Sequence, residues 1–156
     1  MNRKEFTDLV SGSQEAFRRF LAALCCGDKA LADDIAQDTY LKAYLACDSL
    51  RDPSTFGAWL RRIAYNTFIS SRRSLRPECA IDDALHLAGG EAADEGFRYQ
   101  DLYAALARLG ECERTAILLF YMEGYAIREI ATITESTENA VKQQLSRGRA
   151  HLKDLL

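Results

Sequence analysis

Residues 31–76 place an acidic amphipathic segment directly before a basic one, and any fold of this chain must satisfy both. The first reads LADDIAQDTYLKAYLA, and the turn-rich residues 47–55 join it to the second, FGAWLRRIAYNTFISSRRSLR. On a helix Asp33, Asp34, Gln37 and Asp38 share one face. Leu41 and Leu45 continue the stripe of Asp34 and Asp38, so apolar side chains stand beside carboxylates on a face unlike a core. The second segment reverses the sign: five arginines and no acid lie between Pro53 and Pro77. Phe56, Trp59, Leu60, Ile63 and Ala64 recur at helical spacing and are expected to face inward. Arg62, Tyr65, Asn66, Ile69, Arg73 and Arg76 fall on another face, where cations alternate with an aromatic and an amide. The first helix suits a protein partner, the second a polyanion.

The rest of the chain supplies the helices that such faces need. Phe6, Leu9 and Val10 begin an apolar face that is interrupted at Ser11-Gly12-Ser13. Ser13 is expected to cap a helix in which Ala16, Phe17, Phe20, Leu21 and Leu24 are buried. Gly27 stands where a C-terminal cap belongs, and Asp52-Pro53 is a start signal for the basic helix. Together these elements predict a three- or four-helix unit ending near Leu75. Over residues 76–96 periodicity fades, and Gly89-Gly90 with clustered acids marks a linker that has room for a short helix at 81–87. A linker this acidic is able to cover the basic helix in the free protein, although a solvated linker is the simpler reading.

A second unit starts near Phe97. Leu102, Ala105, Leu106 and Leu109 outline one helix closed by Gly110; Ala116, Ile117, Leu119 and Phe120 outline another closed near Gly124. A short helix over 127–133 and a longer one over Glu138–Leu155 follow, separated by Thr134-Glu135-Ser136-Thr137 with Thr137 as N-cap. Val141, Leu145 and Leu152 are expected to pack inward. Short helix, tight turn and longer polar-faced helix make a helix-turn-helix.

Its chemistry follows from its outward residues. Asn139, Lys142, Gln143, Ser146 and Arg147 cover nearly two turns after the cap. They supply donors for guanine and bidentate amide contacts for adenine, while Arg149 and Lys153 suit phosphates. The bland alternative is a solvated face on an ordinary helical hairpin. On the basic helix Arg61, Arg62, Arg72, Arg73 and Arg76 suit a phosphate backbone, with Tyr65, Asn66 and Phe68 near exposed bases. Cations mixed with aromatics are the means by which single strands are captured. Trp59 reads instead as core.

Composition narrows the classes. Two prolines and nine glycines among abundant Ala, Leu and Arg favour an all-helical chain. The net charge of −3 argues against nucleic acid only as an average, because residues 77–97 hold six acids and no Lys or Arg. Five cysteines without a CxxC, and only two histidines, read as reduced thiols in a cytoplasmic protein rather than as a disulfide framework or zinc site. No apolar run approaches the roughly 20 residues needed to span a bilayer, and MNRKEFTDLV lacks the apolar stretch of a signal peptide. Asp33, Asp34 and Asp38 have no converging loop ligands of the kind a hard cation takes, so no metal or cofactor is expected. Without a Gly-rich phosphate loop, a GxSxG or a Cys/His cluster, no enzyme is expected either.

Taken in order, these segments resemble a bacterial sigma factor of the extracytoplasmic-function group, over nearly the whole chain. Residues 17–28 with LADDIAQDTYLKAYL resemble region 2.1–2.2, FGAWLRRIAYNTFISSRR resembles region 2.3–2.4, and ILLFYMEGYAIREIATITESTENAVKQQLSRGRAHLKDLL resembles region 4. The resemblance implies two small helical domains: a region 2-like bundle over 1–76 and a region 4-like helix-turn-helix over 97–156, with an acidic linker at 77–96. It implies that Asp33, Asp34, Gln37, Asp38, Leu41 and Lys42 meet core RNA polymerase, at the coiled coil of its β′ subunit, with the β subunit as a further partner. Arg62, Tyr65, Asn66, Arg72 and Arg73 would take the −10 element, residues 47–55 pocketing a flipped base. Asn139, Lys142, Gln143, Ser146, Arg147 and Arg149 would meet the −35 element. An anti-sigma factor is implied as a partner; membrane insertion is not.

Three positions depart from the family pattern: Glu135 replaces the usual Gly of the turn, Gln144 a frequent Arg, and Ser70 a common Asp. A carboxylate in that turn is sterically awkward and repels nearby phosphate. The rival reading is a stand-alone helix-turn-helix regulator whose N-terminal half only dimerises. It leaves the Asp/Leu face and the acid-free basic helix without a purpose.

Overall fold

The computed structural model describes residues 1–75 and 94–155, with side chains except for those of residues 73–75 and 94–99. The short helix suggested at 81–87 and most of the acidic stretch lie outside the described residues. Among those described, the regular elements are all helices: α1 (Arg3–Leu24), α2 (Lys29–Leu45), α3 (Phe56–Leu75), α4 (Asp94–Ala107), α5 (Glu111–Ile117), α6 (Ile127–Thr134) and α7 (Glu138–Leu155). Short 3-10 turns, Cys47–Ser49 and Pro53–Thr55, carry α2 into α3, and a π turn, Leu118–Met122, continues α5.

The helix starts follow their caps. Asn2 accepts from the Glu5 amide at 2.8 Å while the Glu5 carboxylate accepts from the Asn2 amide at 3.1 Å, a reciprocal capping box. This start lies well before Ser13, which the sequence nominates as the cap. Ser13 instead sits inside α1 and donates its hydroxyl to the Leu9 carbonyl at 2.8 Å. The helix runs straight through Ser-Gly-Ser because Phe6 on one side and Phe17 and Phe20 on the other are all buried in one core. That burial, roughly 1.5–3 kcal/mol per large side chain, outweighs the ~1 kcal/mol that a helical Gly costs relative to Ala. Asp28 caps α2 through the Leu31 amide, and Asp52 caps the turn before α3 through the Ser54 amide.

The turn between α1 and α2 holds two successive left-handed residues, Cys26 at φ 53° and Gly27 at φ 85°. The Gly27 amide reaches the Ala22 carbonyl at 2.9 Å. A side chain at Gly27 is also excluded by the ring of Tyr103, which would lie 3.0 Å from its Cβ. Burial pushes the neighbouring Cys25 thiol up to about 12, so it stays protonated in the core.

Helices α1, α2 and α3 pack through Phe17, Phe20, Leu24, Ile35, Ala43, Leu60 and Phe68. Helices α5, α6 and α7 pack through Ile117, Leu119, Ile130, Ile133, Val141 and Leu145. Gly148 lets α7 lie directly on α5, since a Cβ there would come within 2.7 Å of Ile117 Cγ1. The two groups of helices are not separate in the folded chain. Helix α6 packs along α3, the π turn packs on α1, and the buried residues form one continuous cluster.

Candidate nucleic-acid and polymerase interfaces

The C-terminal helix pair has the geometry that groove reading needs. Helix α6 ends at Glu135, whose backbone is left-handed (φ 57°, ψ 47°), and the Ser136 amide closes the turn onto the Ala131 carbonyl at 2.9 Å. Thr137 then caps α7, its hydroxyl accepting from the Ala140 amide at 3.0 Å. The position where the sequence departs from glycine is therefore one that does require positive φ. On α7 Val141 and Leu145 are buried, whereas Asn139, Lys142, Gln143, Ser146, Arg147 and Arg149 are all exposed. Arg149 donates to the Tyr121 hydroxyl at 3.1 Å, which holds the guanidinium beside the π turn.

The basic helix is arranged differently from the sequence expectation. Arg61 is buried rather than exposed to a phosphate backbone: its Nε donates to Glu123 Oε1 at 2.6 Å, and its guanidinium lies over Phe17 and Phe20 at 5.4 and 5.6 Å. Arg62 remains half exposed and donates both Nε (3.1 Å) and Nη2 to Glu135 Oε2. Arg72 donates to Glu111 Oε2 at 2.8 Å. Tyr65, placed by the sequence on the outward face, is buried with its hydroxyl 3.7 Å from Cys112 Sγ. Phe68 is core as well, at 1% exposure, not a base platform. Trp59 is partly buried against the core, and Asn66 is exposed. The Arg73 side chain lies outside those described. The physical reason for these differences is that α3 is covered on more than one side: Phe68 lies in the core shared with α1 and α2, Tyr65 meets Cys112 of α5, Arg61 meets Glu123 at the end of the π turn, and α6 packs along the helix.

Helix α2 keeps the expected free face. Asp33, Asp34, Gln37 and Asp38 are exposed, and Leu41 and Leu45 remain 59% and 70% exposed beside them. Two leucines this open stand on a helix whose other side is packed through Ile35, Ala36 and Ala43. Lys42 is also exposed, but its ammonium donates to Thr67 Oγ1 of α3 at 3.0 Å, which ties the two helices together. Asp33 forms a long exposed pair with Arg18 at 3.6 Å.

One group escaped the sequence reading altogether. Arg114 is buried on α5 and donates to the carbonyls of Leu106 (2.9 Å), Leu109 (3.3 Å) and Leu24 (2.9 Å). A cation on the open carbonyls at the ends of α1 and α4 satisfies groups that no later turn of helix can reach. Helical spacing alone shows Arg114 next to core positions; nothing in it shows the carbonyls.

Among the described residues no group of three His, Cys, Asp or Glu side chains is placed to hold a metal, and no helix is long and apolar enough to cross a membrane. Comparison with known proteins accounts for both halves. The Sigma-70 region 2 family matches residues 9–78, and the Sigma-70 region 4 family matches residues 99–152. The ECF RNA polymerase sigma factor EcfG of Rhodopseudomonas palustris is 30% identical, covering 96% of this chain and 83% of its own length. The ECF RNA polymerase sigma factor SigW of Bacillus subtilis is 28% identical over the whole chain and 97% of its own length. Of a longer relative, "Probable RNA polymerase sigma factor RfaY" of Xanthomonas campestris, the chain spans 44%.

Among solved structures, the sigma factor RpoE of Bartonella quintana, in complex with the anti-sigma factor NepR, superposes with a TM-score of 0.82. It is 30% identical and covers 97% of this chain and 96% of its own. CnrH in complex with the cytosolic domain of CnrY shares the fold at a TM-score of 0.73 and 24% identity. A stand-alone duplex-binding regulator would not account for the region 2 match. With the free Asp/Leu face on α2, the arginines of α3 and the turn before α7, the chain belongs to the extracytoplasmic-function sigma factors, which bind core RNA polymerase and promoter DNA and direct promoter-specific transcription initiation.

Proposed function

We propose that the three surfaces divide the work of initiation: α2 docks to core polymerase, α3 takes the −10 element as single strand, and α7 reads the −35 element as duplex. The observation that carries this division is α7, where all six candidate residues are exposed behind a turn that is closed and capped. Asn139, Lys142, Gln143, Ser146 and Arg147 stand over base edges, and Arg149 stands over phosphate. On α3, Arg62, Asn66, Arg72 and Arg73 take the −10 strand; Tyr65 joins them only after its cover of α5 is removed. On α2, Asp33, Asp34, Gln37, Asp38, Leu41 and Lys42 meet the β′ coiled coil, with β as a further contact.

Residues 1–76 and 97–156 act as the two functional units, with 77–96 between them. The chain performs no catalysis itself, because phosphodiester synthesis belongs to the polymerase, and it works in the cytoplasm where that enzyme is. An anti-sigma factor is the natural further partner, since the sigma factor RpoE that this chain is similar to is solved in complex with the anti-sigma factor NepR.

The division of labour is tested by selecting promoters from a randomised library with reconstituted holoenzyme. Arg147→Ala is expected to relax the −35 preference at one base pair, by about 1–3 kcal/mol of discrimination. Arg149→Ala is expected to weaken binding evenly on all sequences and to lower the salt slope. An equal, sequence-independent loss for both variants contradicts the assignment.

A further inference from the structure

Given the assignment of α7 to the −35 duplex made above, we propose that Tyr121 is a further DNA-contacting residue: its hydroxyl and Arg149 together hold one backbone phosphate beside the −35 element. The helix-turn-helix pattern does not point to Tyr121, which lies outside the two helices that form the motif. The fold brings it there in two steps. Gly148 lets α7 lie against Ile117 of α5, which sets the next residue, Arg149, beside the end of that helix. The π turn then turns Tyr121 outward. Its Glu123 amide reaches back to the Leu118 carbonyl at 3.1 Å, and the extra residue leaves Tyr121 and Met122 exposed while Leu118 and Leu119 stay buried. Tyr121 is 57% exposed, and its ring meets that of Phe120 edge-on at 4.9 Å, which limits how far it can swing. Ile117, Leu152 and Lys153 complete the groove that Tyr121 and Arg149 border.

The donors and acceptors of this pair decide what it can hold. A guanidinium only donates, so in the 3.1 Å contact between Arg149 Nη1 and the Tyr121 hydroxyl the phenol oxygen is the acceptor. The phenol proton is therefore directed elsewhere, and among the described residues no acceptor is placed against it. Arg149 likewise has no carboxylate partner among the described residues, unlike Arg61, Arg62 and Arg72. A neutral phenol orients the guanidinium without cancelling its charge, so no acid has to be displaced when an anion arrives. Glu113, one turn before Ile117 on α5, is engaged by His151, whose Nδ1 lies 3.0 Å from the carboxylate. The groove itself is lined by no acid, and Lys153 adds a second cation at its edge. One charged and one neutral donor thus stand side by side at the surface, both with hydrogen-bonding capacity to spare. An oxyanion that accepts at two oxygens matches them, and a phosphate diester is the oxyanion that a duplex lying on α7 presents.

The test uses reconstituted holoenzyme and a promoter from the selection described above, with single methylphosphonates placed along the −35 element. Tyr121→Phe keeps the ring, its contact with Phe120 and the groove, and removes only the hydroxyl. It should weaken binding about tenfold, evenly across −35 sequences, the usual size for a lost hydrogen bond to a charged group. The salt slope should stay as in the wild type, since no cation is lost, whereas Arg149→Ala lowers it by about 0.9. One methylphosphonate should weaken the wild type and cost much less in either variant, which marks the shared phosphate. Wild-type affinity for Tyr121→Phe beside an effective Arg149→Ala overturns the proposal and leaves the −35 reading of α7 standing. Sensitivity of the two variants at different phosphates overturns the shared site. A salt slope lowered as much by Tyr121→Phe as by Arg149→Ala makes Tyr121 a support for the guanidinium alone and overturns the contact. An Arg149→Ala variant that keeps wild-type affinity and slope fails the assignment of Arg149 to phosphate itself, and this site with it.

Discussion

Glu135 carries two opposed consequences in one side chain. Its backbone sits at φ 57°, where a residue with a Cβ pays roughly 1–2 kcal/mol, and its carboxylate accepts from Arg62 in a pair about half exposed on both sides. Pairs that open contribute at most about 1 kcal/mol. Glu135→Gly is therefore expected to leave urea stability unchanged or to raise it by up to about 1 kcal/mol; a clear loss would mean that the Arg62 pair outweighs the backbone cost. Arg114 is the opposite case. Its guanidinium is buried and fully engaged with three carbonyls at the ends of two helices. Arg114→Met keeps much of the volume and abandons those acceptors, so urea melts should show a loss of about 3 kcal/mol or more. A loss under 1 kcal/mol would mean that water or neighbouring groups replace the guanidinium.

At the scale of helices, periodicity gave the right element where one face alone is buried. Helices α6 and α7 begin and end close to their expected limits because their caps, Thr137 and the Glu135 turn, are local and can be read residue by residue. The exposed row on α2 was readable for the same reason: Asp34, Asp38, Leu41 and Leu45 are a pattern that no core would tolerate. Helix α1 misled because Ser-Gly-Ser carries turn chemistry, while the aromatic residues that keep it helical find their partners far along the chain, as Phe6 does with Phe56 at a ring distance of 5.9 Å. Helix α3 misled differently. It is covered on two sides, so Arg61, Tyr65 and Phe68 lie in contacts that depend on α1, α5 and the π turn. Single-helix spacing carries no record of a second layer. Among the described residues Glu111, Glu123 and Glu135 pair with arginines of α3, each isolated in sequence and gathered only by the fold, whereas most of the acidic stretch at 77–96 lies outside the described residues.

For the whole molecule, the arrangement leaves one face of α2 open and covers much of α3. The Asp/Leu side of α2 is open, with Leu41 and Leu45 solvated, while Arg61, Arg62 and Arg72 of α3 are engaged internally. The account stands on recruitment through α2. Its most direct test is gel filtration of the full chain with bacterial core RNA polymerase, beside an Asp34→Lys/Asp38→Lys variant. Both aspartates are exposed, so the double charge reversal should leave the fold intact by circular dichroism, surface changes being worth within about 0.5 kcal/mol. The account predicts co-elution of the wild type with core polymerase and its loss in the variant. Co-elution of the folded variant at wild-type level would contradict it.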